Sequence, residues 1–364
     1  MQPKRILGVI AILSAAAVML EAKLKKAFEL VVAPSTENNK RNSEADILPL
    51  KDGRLMLAWN DFYTAAGSDF GAARIAAMFS RDGGLTWGGK ITLQENLGTM
   101  NVMEPDLLRL KSGKVAFLFC RKNSEADCLP MARFSKDDGK TFSEPKPIPV
   151  TPYPSYTGMN PDRLIQLRTG RLIVPFWHTL DYRVNKHVAT RVYYSDDDGA
   201  NWKHSETLVD IPDSKAGAQE PGIVELKDGR LFMWIRTDKG SVYKSYSKDK
   251  GVTWTAPEPM NLDSPLSPQS IKRIPSTGHL VIIWNNSKTK RFPLTAAISK
   301  DDGETWVNVR NLDEDPAHSY AYTSIEFLKD RALFSYYAGP PPGVRGEGRW
   351  SLKLKVVPLD WFYK

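Results

Sequence analysis

The stretch SRDGGLTW, from Ser80 to Trp87, returns four more times along the chain, as SKDDGKTF (135–142), SDDDGANW (195–202), SKDKGVTW (247–254) and SKDDGETW (299–306). Each copy reads Ser-x-Asp-x-Gly-x-Thr/Asn-aromatic, and the serines stand 55, 60, 52 and 52 residues apart. These residue types suit a tight hairpin turn. Ser and Asp oxygens accept turn amides, Gly supplies a backbone angle that other residues resist, and the aromatic ring packs beneath. The repetition itself assigns the motif to folding rather than to chemistry.

A second repeat runs in step with the first: KDGRL (51–55), KSGKV (111–115), RTGRL (168–172), KDGRL (227–231) and STGHL (276–280). Each lies between two apolar stretches, such as DLLRL (106–110) and VAFLF (115–119), which read as the two strands of a hairpin. One unit is therefore strand, Gly turn, strand, loop, strand, Asp-box turn, strand, with the period of a four-stranded propeller blade carrying loops. Five units account for residues 41 to 310, and a sixth follows in degenerate form as YTSIEF (322–327) and ALFSY (332–336), without an Asp box. The pattern predicts an all-β fold, a six-bladed β-propeller with five recognisable Asp-box repeats. Residues 28–32 and 352–357 are expected to pair within one blade and close the ring.

Composition agrees: 25 Gly and 25 Pro accompany aromatic residues at 10%, as many short strands joined by turns require. The net charge is +8, but the Lys and Arg residues are spread through the chain and interleaved with 42 acidic residues, which gives no nucleic-acid patch. Lys4 and Arg5, the apolar run from Ile6 to Leu20 and the small residues up to Ala22 have the form of a secretory signal. Residues 1–22 are read as that signal and 23–364 as one domain, exported to the periplasm or the cell exterior. The apolar run is too short for stable membrane insertion. Two cysteines and five scattered histidines assemble no metal site, and no cofactor is called for. Cys120 and Cys128 leave open a loop-closing disulfide or two buried thiols.

In such a ring the innermost strands line the channel, so the residues just before each Gly-turn hairpin converge. There stand Glu44 and Asp46, Glu104 and Asp106, Asp162 and Arg163, Gln219 and Glu220, Gln269 and Ser270, and Tyr320 and Tyr322. Carboxylates gathered in a cleft raise one another's pKa and serve as general acid and base, the usual equipment for glycoside hydrolysis. Each one singly is equally consistent with capping backbone amides or pairing with an arginine.

With these residues in place the chain resembles the sialidase superfamily, and the likeness covers nearly all of residues 23–364. The resemblance implies a Tyr nucleophile in the last blade, matched by Tyr322, and a Glu in the fourth that activates it, matched by Glu220. It implies an acid/base aspartate on a loop of the first blade, for which Asp69 is the match. Arg236 and Arg291 match two arginines that hold a substrate carboxylate. At the first arginine of the family this sequence departs: Ser43 stands at the matched position, with Arg41 two residues upstream and Glu44 next to it. Glu44 would repel a substrate carboxylate. Substrate contacts are therefore expected from Arg236, Arg291, Arg41, Arg163, Glu44, Glu104 and Asp162, and sugar contacts from Trp177, Trp284 and Tyr320.

The implied activity is a retaining exo-glycosidase for a terminal sialic acid or other acidic sugar on a glycan. Two further readings stand beside it. One is a glycosidase for a different sugar, an inverting pair using Glu104 or Asp162. The other is a propeller that binds glycan or protein without catalysis.

Overall fold

The computed structural model describes residues 26–64, 67–341 and 348–364. The proposed signal over 1–22 lies outside the described residues. Within them the chain is all-β apart from one 3-10 turn at Leu359–Tyr363. No helix among them is long and apolar enough to cross a membrane.

The first repeat folds as an antiparallel meander of Asn42–Pro49, Leu55–Asp61, Arg74–Ser80 and Gly88–Gln94. Two later sheets copy it: Gln219–Glu225 to Glu258–Asp263, and Ser270–Arg273 to Val307–Asp313. Between them a nine-stranded sheet spans Asn101–Arg109 to Lys203–His204, in which a parallel bridge from Tyr156 to Cys128 joins two repeats. The last sheet is made by both ends of the chain. Ser319–Phe327, Arg331–Gly339 and Ser351–Pro358 are followed by Phe28–Ala33, with Phe28 opposite Val356.

Burial explains the residue patterning. Second strands such as Leu55–Asp61, Leu231–Arg236 and Leu280–Asn285 are buried along their whole length, because other sheets cover both faces. Fourth strands such as Gly88–Gln94 and Glu258–Asp263 are largely exposed and polar. First strands pack on one another: Asn42–Pro49 touches both Asn101–Arg109 and Ser319–Phe327, while Gln219–Glu225 and Ser319–Phe327 both touch Ser270–Arg273.

The Asp box is a hydrogen-bonded turn with the same bonds in each copy. Ser80 Oγ donates to Asp82 Oδ1 at 2.9 Å and accepts from Gly84 N at 2.9 Å, while Thr86 N donates to Asp82 Oδ1 at 2.9 Å. Gly84 adopts φ +96°, a left-handed conformation that a β-carbon resists. Asp138 and Asp302, one residue before the box glycine, accept the backbone N–H of Lys51 at 2.8 Å and of Lys227 at 2.7 Å. The turn thus latches each of these sheets to its neighbour's Gly turn.

At their other ends the first strands share a different device. Glu44, Glu104, Glu220 and Tyr322 sit at bulges in their strands, with φ of 44°, 65°, 41° and 58°. Asp162 has φ 59° at the equivalent place before Ile165–Gln166. A bulge turns one side chain out of the alternating pattern and re-aims it at the start of its strand. For a residue with a β-carbon this backbone costs roughly 1 kcal/mol or more, so at each of these five positions the rest of the fold must hold the bulge in place.

Cys120 and Cys128 stand as two buried free thiols on neighbouring strands.

Candidate functional site

The bulged residues open into a cavity of about 660 Å³ at the start of the first strands, the end away from the Asp boxes. Arg41, Glu44, Asp69, Glu104, Glu220, Arg236, Arg291 and Tyr322 all line it.

Glu220 and Tyr322 form its centre. Tyr322 Oη donates to Glu220 Oε1 at 3.2 Å, and Glu220 Oε2 takes a close charge-assisted bond from Arg236 Nη1. Arg236 Nη1 also lies 3.5 Å from Tyr322 Oη. Arg291 stands with its guanidinium 5.6 Å from the centre of the Tyr322 ring, held by bonds to Tyr337 Oη at 2.7 Å and the Leu266 carbonyl at 3.1 Å. Burial, and then the charge of Glu220, push the Tyr322 phenol well above its ordinary range, while Arg236 and Arg291 pull it back down. Gly222, two residues past Glu220, leaves room for Trp234: a β-carbon there would lie 2.0 Å from the indole ring.

Arg41 does reach the cavity, from two residues upstream of the matched position. Its Nε bonds Ser43 Oγ at 2.7 Å, Nη2 bonds Glu44 Oε1 at 2.5 Å and Nη1 bonds Asp69 Oδ1 at 2.5 Å. The guanidinium carbon lies over the Phe62 ring, 4.9 Å from its centre. Glu44 is therefore not a bare negative charge. Its second oxygen takes Ser43 Oγ and, at 2.8 Å, Asn60 Nδ2. Asp69 keeps 59% of its side-chain surface exposed. The protein mass around it withdraws some solvent and works to raise its carboxyl, but the charges of Arg41 and Lys122 and the hydrogen bond from Arg41 outweigh this and hold the group down at about 2.

Glu104 faces the same space. It accepts from Met159 N at 3.1 Å, and burial raises its carboxyl to about 8 against the opposing pull of Lys122. Trp177 also lines the cavity, in an aromatic wall with Tyr156 and Tyr182, whose rings stack 5.0 Å apart.

The structure does not bring the other expected contacts here. Arg163 is buried beside Trp234 and donates to the Gln269 carbonyl at 2.8 Å and Ser270 Oγ at 3.3 Å. Asp162 accepts from Lys272 Nζ and from Ile325 N, both at 2.8 Å. These two residues, like Asp46 on Leu107 N and Asp106 on the amides of Arg163 and Leu164, tie first strands together below the cavity. They work as structural staples because most of their polar atoms are already bonded to the backbone and side chains of neighbouring strands. Trp284 and Tyr320 are core residues, with the Trp284 indole donating to the Asp263 carbonyl and the Tyr320 hydroxyl to that of Asp315.

Sequence reasoning passed over Lys122, Tyr156, Tyr182, Tyr337 and Trp350, all of which line the cavity. Lys122 carried a signal, a cation two residues past the apolar run 115–120 of a strand. The tyrosines carried none, since aromatics fill cores elsewhere in this chain.

Residues 53–333 match the BNR repeat-like domain. Over 218 residues, 56% of this chain and 38% of the relative, the sequence is 27% identical to a sialidase of Bacteroides fragilis (strain YCH46). A sialidase of Clostridium perfringens is 24% identical over 262 residues, 64% of this chain and 66% of that protein. The chain thus spans less than two thirds of the length of these relatives. In three dimensions a leech intramolecular trans-sialidase superposes with a TM-score of 0.74 at 15% identity, over 92% of this chain and 71% of the other. Such a likeness speaks to fold, and with the family match it leads to one conclusion: the chain belongs to the BNR repeat-like domain family, within the sialidase superfamily.

Proposed function

We propose that the chain is a retaining exo-glycoside hydrolase of sialidase type, exported by residues 1–22 and folded over 23–364 as one closed six-bladed propeller. In this reading the nine-stranded sheet is two blades. The substrate is a terminal sialic acid or another acidic sugar on a glycan. The observation that carries the reading is the Tyr322–Glu220 hydrogen bond of 3.2 Å inside a cavity that three arginines line.

Glu220 takes the Tyr322 proton as Oη attacks the anomeric carbon, and the covalent glycosyl-enzyme forms with inversion at that centre. Water then displaces Tyr322 with a second inversion, so configuration is retained. A phenol relaying charge suits a sugar with a carboxylate on the anomeric carbon, because a carboxylate nucleophile would be repelled. Arg41, Arg236 and Arg291 hold that carboxylate through charge-assisted bonds whose planar forks fix ring orientation.

Asp69 protonates the leaving oxygen. In the free protein Arg41 holds it ionised, so a substrate carboxylate that engages Arg41 must share that positive charge and release Asp69 toward protonation. The competing reading, a pocket that binds an acidic sugar without cleaving it, draws on the same low Asp69 carboxyl.

A fluorogenic sialoside and a panel of uronic-acid glycosides separate the two. Turnover of one of them, with a 3-fluoro glycosyl fluoride trapped on a Tyr322 peptide in mass spectra, is expected. Binding with no turnover and no trapped adduct would leave a binding protein.

A further inference from the structure

We propose that Asn101 and Lys122 are positioning residues for the proton donor: they clamp the backbone of the Asp69 loop, and Lys122 keeps a positive charge beside its carboxylate, when substrate takes Arg41. The inference rests on the hydrolase reading for the role of Asp69.

Asp69 lies on the loop between Leu55–Asp61 and Arg74–Ser80, outside the strand ladders, and its side chain is largely exposed. Within the loop Gly71 N donates to the Ser68 carbonyl at 2.9 Å. From the same sheet Arg41 holds Asp69 Oδ1 and, at 3.4 Å, the Gly67 carbonyl. A proton donor works only when it is held close to its productive position. In the hydrolase reading Arg41 is shared with the substrate carboxylate, so it cannot anchor the loop through the reaction.

The remaining bonds come from the neighbouring nine-stranded sheet. Asn101 and Lys122 stand opposite each other on Asn101–Arg109 and Val115–Ser124, only 0% and 3% exposed. Asn101 Nδ2 donates to the Asp69 carbonyl at 2.9 Å and to the Gly71 carbonyl at 2.8 Å. Lys122 Nζ donates to the same Asp69 carbonyl at 2.9 Å, which occupies both of its lone pairs. Phe70, between the two gripped carbonyls, has its ring 5.2 Å from Lys122 Nζ, and Val102 N donates to the Ala73 carbonyl at 3.2 Å. Asn101 Oδ1 has no partner among the described residues, so the bonds to the loop alone fix the way this buried amide points. None of these bonds involves the Asp69 carboxylate, so a substrate at Arg41 leaves them in place.

A neutral donor would grip a carbonyl too, so the charge of Lys122 has a separate effect. Against the loss of solvent, Arg41 and then Lys122 hold Asp69 ionised, with a smaller pull from Arg291. Glu44 is bonded to Arg41, and Glu220 with Tyr322 to Arg236. Glu104, Tyr156 and Tyr182, from the nine-stranded sheet and its loops, all have their ionised forms disfavoured by burial. With Arg41 and Arg291 on the substrate carboxylate, Lys122 is the cation left to act on Asp69.

The test compares kcat/KM for two sialosides that differ in leaving group: a 4-methylumbelliferyl ketoside, whose phenolate departs with little help, and sialyl-lactose, whose alkoxide needs the proton. Asn101→Ala and Lys122→Met are each expected to lower the sialyl-lactose rate by roughly tenfold or more beyond any loss on the aryl ketoside. Unfolded molecules lower both rates alike, so the ratio reports the clamp even where a variant folds less well. In Lys122→Met, and not in Asn101→Ala, the basic limb of the kcat profile should also move up by about 1 pH unit, because losing a cation eases protonation of Asp69. Equal losses on the two substrates overturn the clamp, and an unmoved limb in Lys122→Met overturns the part given to its charge. If the wild type cleaves neither sialoside, the hydrolase reading falls and hydrogen exchange decides the clamp. Faster exchange at residues 68–73 in both variants keeps it as the support of a binding loop, and unchanged exchange overturns it.

Discussion

The two ends of each sheet obey the same repeat in different ways. At the Asp-box end the side chains are repeated: Ser80, Asp82 and Gly84 make the same bonds as Ser299, Asp301 and Gly303. At the cavity end the backbone is repeated and the side chains are not, so one left-handed bulge presents Glu44, Glu104, Glu220 or Tyr322 in turn. A fold that fixes identity at one end and only direction at the other can keep its architecture while its chemistry varies. Changes at the bulges should therefore alter rate with little loss of stability, and changes in the boxes the reverse.

The sharpest break is Tyr322→Phe. Removing the hydroxyl takes away the nucleophile and its bond to Glu220, and kcat on the best substrate is expected to fall by roughly 10³-fold or more. The unfolding midpoint should move by less than that of a box mutant. A Phe variant within tenfold of wild type in single-turnover assays would remove Tyr322 from the mechanism.

The second test uses pH. Asp69 must be protonated to act, and Arg41 holds it at about 2 in the free protein. Above that value the free form loses its proton, which depresses kcat/KM, a free-enzyme quantity. In the complex the substrate carboxylate shares Arg41, so the kcat profile should turn down roughly 1–3 pH units higher. Coincident limbs in the two profiles would show that Arg41 does not exchange Asp69 for substrate.

How much of this was legible in the sequence follows from the same contrast. The boxes could be read because Ser, Asp and Gly are each needed for a particular hydrogen bond or angle, so the letters recur. The bulges could not be read, because glutamate and tyrosine are not residues that announce positive φ. Strand position placed Glu220 and Tyr322 at the channel but gave them no roles, which came only through family resemblance, and Asp162 and Arg163 were grouped with them because strand position does not reveal which carboxylates already hold a neighbouring backbone. Arg41 was legible as a cation near the cavity, but its three partners Ser43, Glu44 and Asp69 needed coordinates.

The cavity also leaves a mark on stability. Glu104 has its carboxyl at about 8 when folded and near the ordinary value of about 4.3 when unfolded. Between those values the native state binds the extra proton, so its contribution to stability is lost as pH rises through the window. Allowing for water entry, this amounts to about 1–3 kcal/mol. Urea unfolding at pH 5 and 8.5 should show Glu104→Gln gaining on the wild type at the higher pH. A constant difference between the two curves would contradict the raised carboxyl.

A box mutant supplies the opposite case. Asp82→Ala removes three hydrogen bonds, from Ser80 Oγ, Thr86 N and Thr86 Oγ1, and should cost about 1–2 kcal/mol of stability. kcat and KM should not change, since Asp82 lies at the far end of its sheet. A selective loss of activity at unchanged stability would join the two ends.

The smallest effect concerns the residue before the box glycine, which is left-handed in every box: Gly83, Asp138, Asp198, Lys250 and Asp302 have φ between 57° and 69°. Gly83 shows that the position accepts glycine. Asp302 compensates its strained backbone by accepting Lys227 N and Arg273 Nη1, both at 2.7 Å, whereas Asp198 has only Lys114 Nζ, 3.5 Å away and partly exposed. A pair so placed contributes little. Asp198→Gly should therefore raise stability by about 0.5 kcal/mol as the left-handed strain is relieved, offset in part by glycine's greater freedom when unfolded. Asp302→Gly should lower stability by about 1 kcal/mol or more, because the Lys227 amide and Arg273 lose their acceptor. Chemical unfolding of the two variants side by side decides it: equal shifts of the same sign would mean that backbone angle, and not the latch between neighbouring sheets, governs this position.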